Sequence, residues 1–172
     1  MKLAAIFKEL LGEEAMKAEY NFGELVLTVP PEKILEVCRL GRSDSRLDLN
    51  YLRSLSGVDY VTHFEVVYHL YSLDKRHKMT VKVQISHEAP EIDSVISVWS
   101  GADWHERELA EMFDINVKGH PNLVPLLLEE GVDEHPLLKS HPLVPMGEDR
   151  PGVITDLGES DWMGYRAGGG KE

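Results

Sequence analysis

The alternation of apolar side chains between residues 64 and 85 constrains this chain more than any other feature. Phe64, Val66, Tyr68 and Leu70 recur at every second position, inside a stretch from Val58 to Leu73 that reads as extended. Asp74-Lys75-Arg76 follows as a turn, and Met79, Val81, Val83 and Ile85 then alternate with Thr80, Lys82 and Gln84. A period of two places one set of side chains on a single face of a pleated strand. Two such strands joined by a short polar turn predict an antiparallel hairpin with one buried face. That face needs an apolar cover.

The flanking segments supply it. Leu3, Ile6, Phe7, Leu10 and Leu11 form one stripe of a helix expected to run to about Ala18. Glu24–Val29 reads as a short strand. Pro30-Pro31 opens a second helix, since proline fits a first turn where its missing N–H costs nothing. Ile34, Leu35, Val37 and Cys38 make the buried side of that helix, with Gly41 as its expected C-cap. Arg42 to Ser56 carries no clear period and is expected to be a loop with a short helical turn. Ser94 to Trp99 suggests a short helix. Asp103 with Glu106 three positions on has the capping-box arrangement and opens a helix through Phe113, with Leu109, Met112 and Phe113 inward. The expected fold class is α+β: a two-layer domain over residues 1–117, with a mainly antiparallel sheet and helices on one face.

From Lys118 onward the periodicity fades. Six of the nine prolines lie between Pro121 and Pro151, and Gly168-Gly169-Gly170 closes a glycine-punctuated tail. Such a segment cannot build its own core. It nevertheless keeps Leu126, Leu127, Leu128, Leu137, Leu138, Val144, Ile154, Leu157, Trp162 and Tyr165. Residues 118–172 are therefore expected to be a long extended Pro/Gly-rich C-terminal arm laid on partner subunits.

Charge narrows the partners. Residues 1–86 carry 12 basic and 12 acidic side chains, and residues 87–172 carry 6 and 18, so the whole net charge of −12 lies in the second half. Phosphate neutralisation needs lysine and arginine, which argues against nucleic acid and against direct binding to anionic lipid. The acidic half is either a solvated surface or a docking face for a basic partner. No apolar run approaches the roughly 20 residues that span a bilayer. The single cysteine, Cys38, cannot hold a thiolate cluster alone, and its place on the helix reads as core. A reducing cytosol is the expected compartment.

Catalytic patterns fail one by one. His105-Glu106 begins like a zinc-protease helix, but position 109 is Leu where a second histidine would be needed. His120-Pro121, His135-Pro136 and His141-Pro142 could join His105 in a zinc site, yet their spacings match no compact ligand pattern. A stand-alone zinc hydrolase on these histidines is kept as the rival reading. There is no phosphate-cradling glycine loop and no nucleophile elbow. Glu106, Arg107 and Glu108 read as an exposed charged helix face or as a docking edge in which Arg107 forks onto a carboxylate. Trp99 and Trp104 are core residues or interface anchors.

At this point the sequence resembles the family of the 30 kDa subunit of respiratory complex I. That family includes the equivalent subunits of membrane-bound hydrogenases and related complex I-like ion-pumping complexes. Its signature is a Glu-Arg-Glu helix, then Met-Phe, then Gly-His-Pro-x-Leu. Here it stands as Glu106-Arg107-Glu108, Met112-Phe113 and Gly119-His120-Pro121-Asn122-Leu123, with a downstream element His135-Pro136-Leu137-Leu138-Lys139. The likeness covers about residues 58–142.

The resemblance implies a non-catalytic structural and assembly subunit on the cytosolic side of the cell membrane, in the peripheral arm of a membrane-bound oxidoreductase. It would brace the large catalytic subunit and iron–sulfur subunits for electron transfer coupled to ion translocation. It implies no cofactor on this chain, with iron–sulfur clusters, and a NiFe centre in the hydrogenase case, held by partner subunits. Carried over by position, Glu106, Arg107, Glu108, Gly119, His120, Pro121, His135, Pro136, Leu137 and Lys139 would be structural or partner-interface residues, with Trp104 as an anchor beside them. Three departures stand out: Asp114 where the family usually has Gly, Val124-Pro125 where it has two arginines, and Ser140-His141 in the last motif. These favour a hydrogenase-like or archaeal-type complex, with NADH-quinone oxidoreductase as the alternative.

Overall fold

The computed structural model describes residues 2–12, 17–129 and 131–141. The first helix, α1 (Lys2–Leu11), ends at Gly12, whose φ of +85° breaks the helical path and whose N–H closes onto the Lys8 carbonyl. It is shorter than its apolar stripe suggested. Ala18 belongs instead to a strand, β1 (Lys17–Asn21), which pairs antiparallel with β2 (Glu24–Val29). Phe22 and Gly23 take φ values of +50° and +78° between them. Two left-handed central residues match the twist of a two-residue hairpin. A short 3-10 turn at Pro31–Lys33 leads into α2 (Ile34–Ser43).

Gly41 does not cap α2. It lies buried inside the helix, and a Cβ there would stand 3.1 Å from Leu49 Cδ1. Its smallness lets the following chain press against the helix, where the Leu49 N–H reaches the Gly41 carbonyl.

The expected loop from 42 to 56 hides a strand. β3 (Tyr51–Asp59) pairs antiparallel with β4 (Phe64–Tyr71), and β4 with β5 (Lys78–Ile85). The long extended stretch is therefore two strands joined by a turn at 60–63. The sheet order is β1-β2-β5-β4-β3, and only the β2–β5 pair is parallel. Cross-strand rows on the apolar face run Leu27–Val81–Tyr68–Leu55 and Leu25–Met79–Leu70–Leu52. All eight of these side chains are buried, together with Phe7, Ile34, Val37 and Cys38 of the helices. The opposite face is polar. Lys82 pairs with Glu65 at 2.8 Å, and Thr80 donates to Glu24.

Three further elements follow: β6 (Glu91–Asp93), α3 (Ala102–Phe113) and β7 (Asn116–Lys118), with β6 and β7 paired parallel. Residues 94–99 make only a hydrogen-bonded turn, with the Val98 and Trp99 N–H groups on the Val95 carbonyl. The row Val29–Val83–Val66 ends at Gly57, where a Cβ would meet Leu109 Cδ1 at 2.7 Å and Phe113 Cδ2 at 2.8 Å. The missing side chain is what lets α3 lie directly on β3. The compact unit continues to His141, so the boundary expected at 117/118 falls within β7. The expectations for Pro142, Val144, Ile154, Leu157, Trp162 and Tyr165 lie outside the described residues.

Candidate functional site

The residues singled out by the sequence gather on α3 and on the segment 119–141 beside it. α3 begins at Ala102, not after an Asp103 cap, and no side chain caps it. The N-cap position is Gly101, which has no side chain to offer. Glu106 is committed elsewhere. Its carboxylate reaches back to the preceding turn, accepting from Ser94 Oγ at 2.6 Å and from the Val95 N–H at 2.7 Å. Glu106 is buried, and burial pushes its pKa up against the opposing pull of Ser94, Val95 and His120. It is an internal staple between α3 and the β6 turn, and its carboxylate faces no solvent.

α3 ends at Asp114 with φ +54°. That left-handed position normally favours glycine, and aspartate is among the few other residues that tolerate it. This explains how Asp114 stands where glycine is the family's usual choice. Gly119 likewise has φ +79° with open space around it, so backbone conformation and not crowding requires glycine there. The turn delivers His120 into the protein, with its side chain fully enclosed. His120 Nδ1 accepts the Asn122 N–H at 3.1 Å, so the neutral ring carries its proton on Nε2. Nε2 faces Asp103 Oδ1 at 3.3 Å and Glu106 Oε2 at 4.0 Å.

The segment beyond His120 is tied to α3 of this same chain. Arg107 Nε donates to the Val124 carbonyl at 2.9 Å and Nη2 to the Pro125 carbonyl at 2.8 Å. Two of its five N–H donors are thus engaged within the chain, on backbone carbonyls. One helical turn on, the Glu111 carboxylate accepts three successive N–H groups, from Leu126 at 3.2 Å, Leu127 at 2.9 Å and Leu128 at 2.7 Å. Burial raises the Glu111 pKa, but these bonds and the charge of Arg107 outweigh it and leave the carboxyl below its ordinary value. The C-terminal carbonyls of a helix lack intrahelical donors. His135 Nδ1 supplies one to Glu111 O at 2.8 Å, and the Leu137 N–H supplies another to Met112 O at 3.2 Å.

The last tie is to the sheet. Asp59 is buried at the end of β3, accepting the Val61 N–H at 2.7 Å, the Lys139 N–H at 2.8 Å and His87 Nε2 at 3.2 Å. Burial pushes its pKa up, yet the two N–H bonds and His87 leave it lowered.

Other named residues stay on the surface. Trp104 is 67% exposed, whereas Trp99 is core, with its Nε1 donating to the Leu49 carbonyl. Glu108, Pro121, Leu137 and Lys139 are exposed; Pro136 is half-buried. Among the described residues, no three His, Cys, Asp or Glu side chains converge as a metal-holding group, and the set His105, His120, His135 and His141 does not assemble. Burial pushes the Cys38 thiol pKa well up. The residues missed by sequence reasoning are Ser94, Asp59 and Glu111. Glu111 had a signal: it stands four residues after Arg107, on the same helix face.

These features define a class: an α+β scaffold with an arm strapped to one helix, built from internal ties and exposed apolar side chains. The family model of the respiratory-chain NADH dehydrogenase 30 kDa subunit matches residues 27–146, and the chain belongs to this family. The NADH-quinone oxidoreductase subunit of this kind from Roseiflexus castenholzii is 41% identical over 143 residues, covering 81% of this chain and 79% of that one. Its namesake from Citrifermentans bemidjiense is 42% identical over 135 residues, covering 77% and 81%. Among solved structures, a trypsin-resistant fragment (1-134) of Nqo5 superposes with a TM-score of 0.62 at 29% identity, covering 72% of this chain and all of that one. A chain of the membrane-bound sulfane sulfur reductase, an archaeal respiratory membrane complex, shares the fold with a TM-score of 0.72 at 20% identity over 84% of this chain and 88% of that one.

Proposed function

We propose that this chain is a non-catalytic structural subunit in the peripheral arm of a complex I-like, membrane-attached oxidoreductase, on the cytosolic side. It holds the large catalytic subunit and its iron–sulfur neighbours in fixed register, and carries no redox centre of its own. Electron transfer between centres needs constant separations, and a rigid brace maintains them. The observation that carries this reading is the α3 face. Glu106 and Glu111 are bonded inside the chain, Arg107 is held on two backbone carbonyls, and Trp104, Leu126 and Leu127 line one open depression with Trp104 and Leu127 exposed. A contiguous apolar patch rimmed by polar groups marks an interaction surface. No helix among the described residues is long and apolar enough to cross a membrane, so membrane attachment would come through partner subunits.

The relatives at 41–42% identity are NADH-quinone oxidoreductase subunits, which favours a quinone-linked complex over the membrane-bound hydrogenase that the three departures from the family pattern suggested. At Val124 and Pro125 it is the backbone carbonyls that Arg107 holds.

The test is a gentle affinity purification of this chain from its native membranes, with iron, nickel and zinc counted on the product. A multi-subunit assembly with iron and no nickel is the expected result. Iron with nickel would restore the hydrogenase reading. A lone chain of 19.4 kDa with one zinc would overturn the scaffold reading in favour of a hydrolase.

A further inference from the structure

The hollow at the start of α3 carries an inference about what docks there, and it rests on the subunit reading above. Trp104 on the first helical turn and Leu127 on the strapped segment are 67% and 62% exposed and line the same open depression of about 520 Å³. Leu126 and the backbone around Gly101 complete its floor. The volume lies in the range of ligand clefts, but those bury most of their ligand. Here the two main apolar walls themselves lie mostly in water, a geometry that suits a protruding side chain from a protein surface. Large aromatic anchors of this kind dominate binding energy at protein interfaces.

The carboxylates of Asp103 and Glu108 line the rim beside the His105 ring, no lysine or arginine does, and Glu108 has no ion-pair partner among the described residues. Arg107, between them in sequence, is drawn away onto the Val124 and Pro125 carbonyls. The strap thus holds two of the Arg107 nitrogens on backbone carbonyls and not on these carboxylates. An acidic rim around an apolar floor is complementary to a basic segment with an apolar tip.

We propose that this hollow is a socket for a basic segment of a partner subunit, with one aliphatic or aromatic side chain seated on Trp104 and Leu127 and a neighbouring lysine or arginine on Glu108. The socket exists only while the strap is in place, because Leu126 and Leu127 are positioned by Glu111.

The test replaces Trp104 by the photo-crosslinking residue p-benzoylphenylalanine in the full chain, in its native host. The complex is purified and irradiated, and the crosslinked peptide is sequenced. The expected capture is a peptide of another subunit of the same complex, with lysine or arginine close to the crosslink in sequence. A peptide of this same chain, a peptide without a basic residue nearby, a lipid, or no crosslink in an intact complex would each overturn the proposal. A chain that does not co-purify with an iron-bearing assembly would overturn the subunit reading, and this proposal with it. Trp104→Ala and Glu108→Lys chains, co-expressed in competition with the wild type, supply the second readout. Incorporation into the complex is expected to fall about 30-fold for Trp104→Ala and about tenfold for Glu108→Lys, the latter loss shrinking as salt rises. Both residues are exposed, so the melting midpoint of the chain should not move. Incorporation equal to wild type for both variants would contradict the socket.

Discussion

The five-stranded sheet and the strap at 119–141 are held by different physics. In the sheet, rows such as Leu27–Val81–Tyr68–Leu55 are buried on one face while backbone ladders satisfy the polar groups. The strap has no ladder and few buried side chains of its own. Three charged side chains, Asp59, Arg107 and Glu111, clasp its backbone, and His135 and Leu137 fill orphan carbonyls of α3. The sheet therefore fails only by losing its packing. The strap can be opened group by group while the sheet stands. A face that must meet another protein can be built from such a segment, since its shape is set by a few exchangeable ties and not by the core.

The largest effects should separate the two regions. Leu70→Ala removes a fully buried side chain and should cost about 2–5 kcal/mol, seen as a lower urea midpoint with an unchanged slope. Gly57→Ala forces a Cβ to within 3 Å of Leu109 and Phe113, and should cost about 1–3 kcal/mol by prising α3 from β3. A midpoint unchanged by Gly57→Ala would show that α3 does not press on the sheet. Glu111→Gln takes the negative charge from three N–H donors. Its effect should be local: amide exchange at Leu126, Leu127 and Leu128 faster by about tenfold, or roughly 1.4 kcal/mol of local opening, with β4 amides unaffected. Uniform acceleration across both regions would erase the distinction.

Acid should open the strap in the same way. Asp59 and Glu111 both have folded pKa values below their ordinary ones. Their contribution is complete above the unfolded values and is lost as pH falls through the folded ones. Strap protection should thus decline below about pH 4.5, the ordinary glutamate value. Glu106 has the opposite sign. Its pKa is raised, so its charged form is the disfavoured one in the fold, and stability falls as pH rises from the ordinary value through the raised one. Comparing the pH dependence of wild type and Glu106→Gln isolates this contribution. The smallest expected effect is that of Asp114→Gly. It relieves a left-handed non-glycine residue and should raise stability by about 0.5 kcal/mol, part of the gain being offset by a freer unfolded chain. A loss instead would show that the Asp114 carboxylate, 3.6 Å from His135 Nε2, matters more than its backbone.

The same contrast explains what could be read from sequence. β4 and β5 were legible because one buried face imposes alternation. β1 was not, since Lys17–Asn21 is an edge strand exposed almost throughout and carries no period. β3 was missed because its register shifts between Leu52 and Ser54, which puts the buried Leu52 and Leu55 three residues apart, as on a helix. The resemblance singled out α3 and the His-Pro turn that packs against it. It could not say that Arg107 reaches the Val124 and Pro125 carbonyls or that Glu106 is buried on Ser94 and Val95, because these partners are fixed by tertiary folding. Asp59 and Lys139, 80 positions apart, had no local signal at all.

The central claim is that the α3 face and its strap form a docking surface for partner subunits. Amide hydrogen exchange of the full chain, alone and within the complex purified from native membranes, tests it most directly. The account predicts that residues 102–108 and 126–128 slow by about tenfold or more in the complex, while residues 78–85, already protected by the sheet, do not change. The same exchange pattern in both states would contradict it.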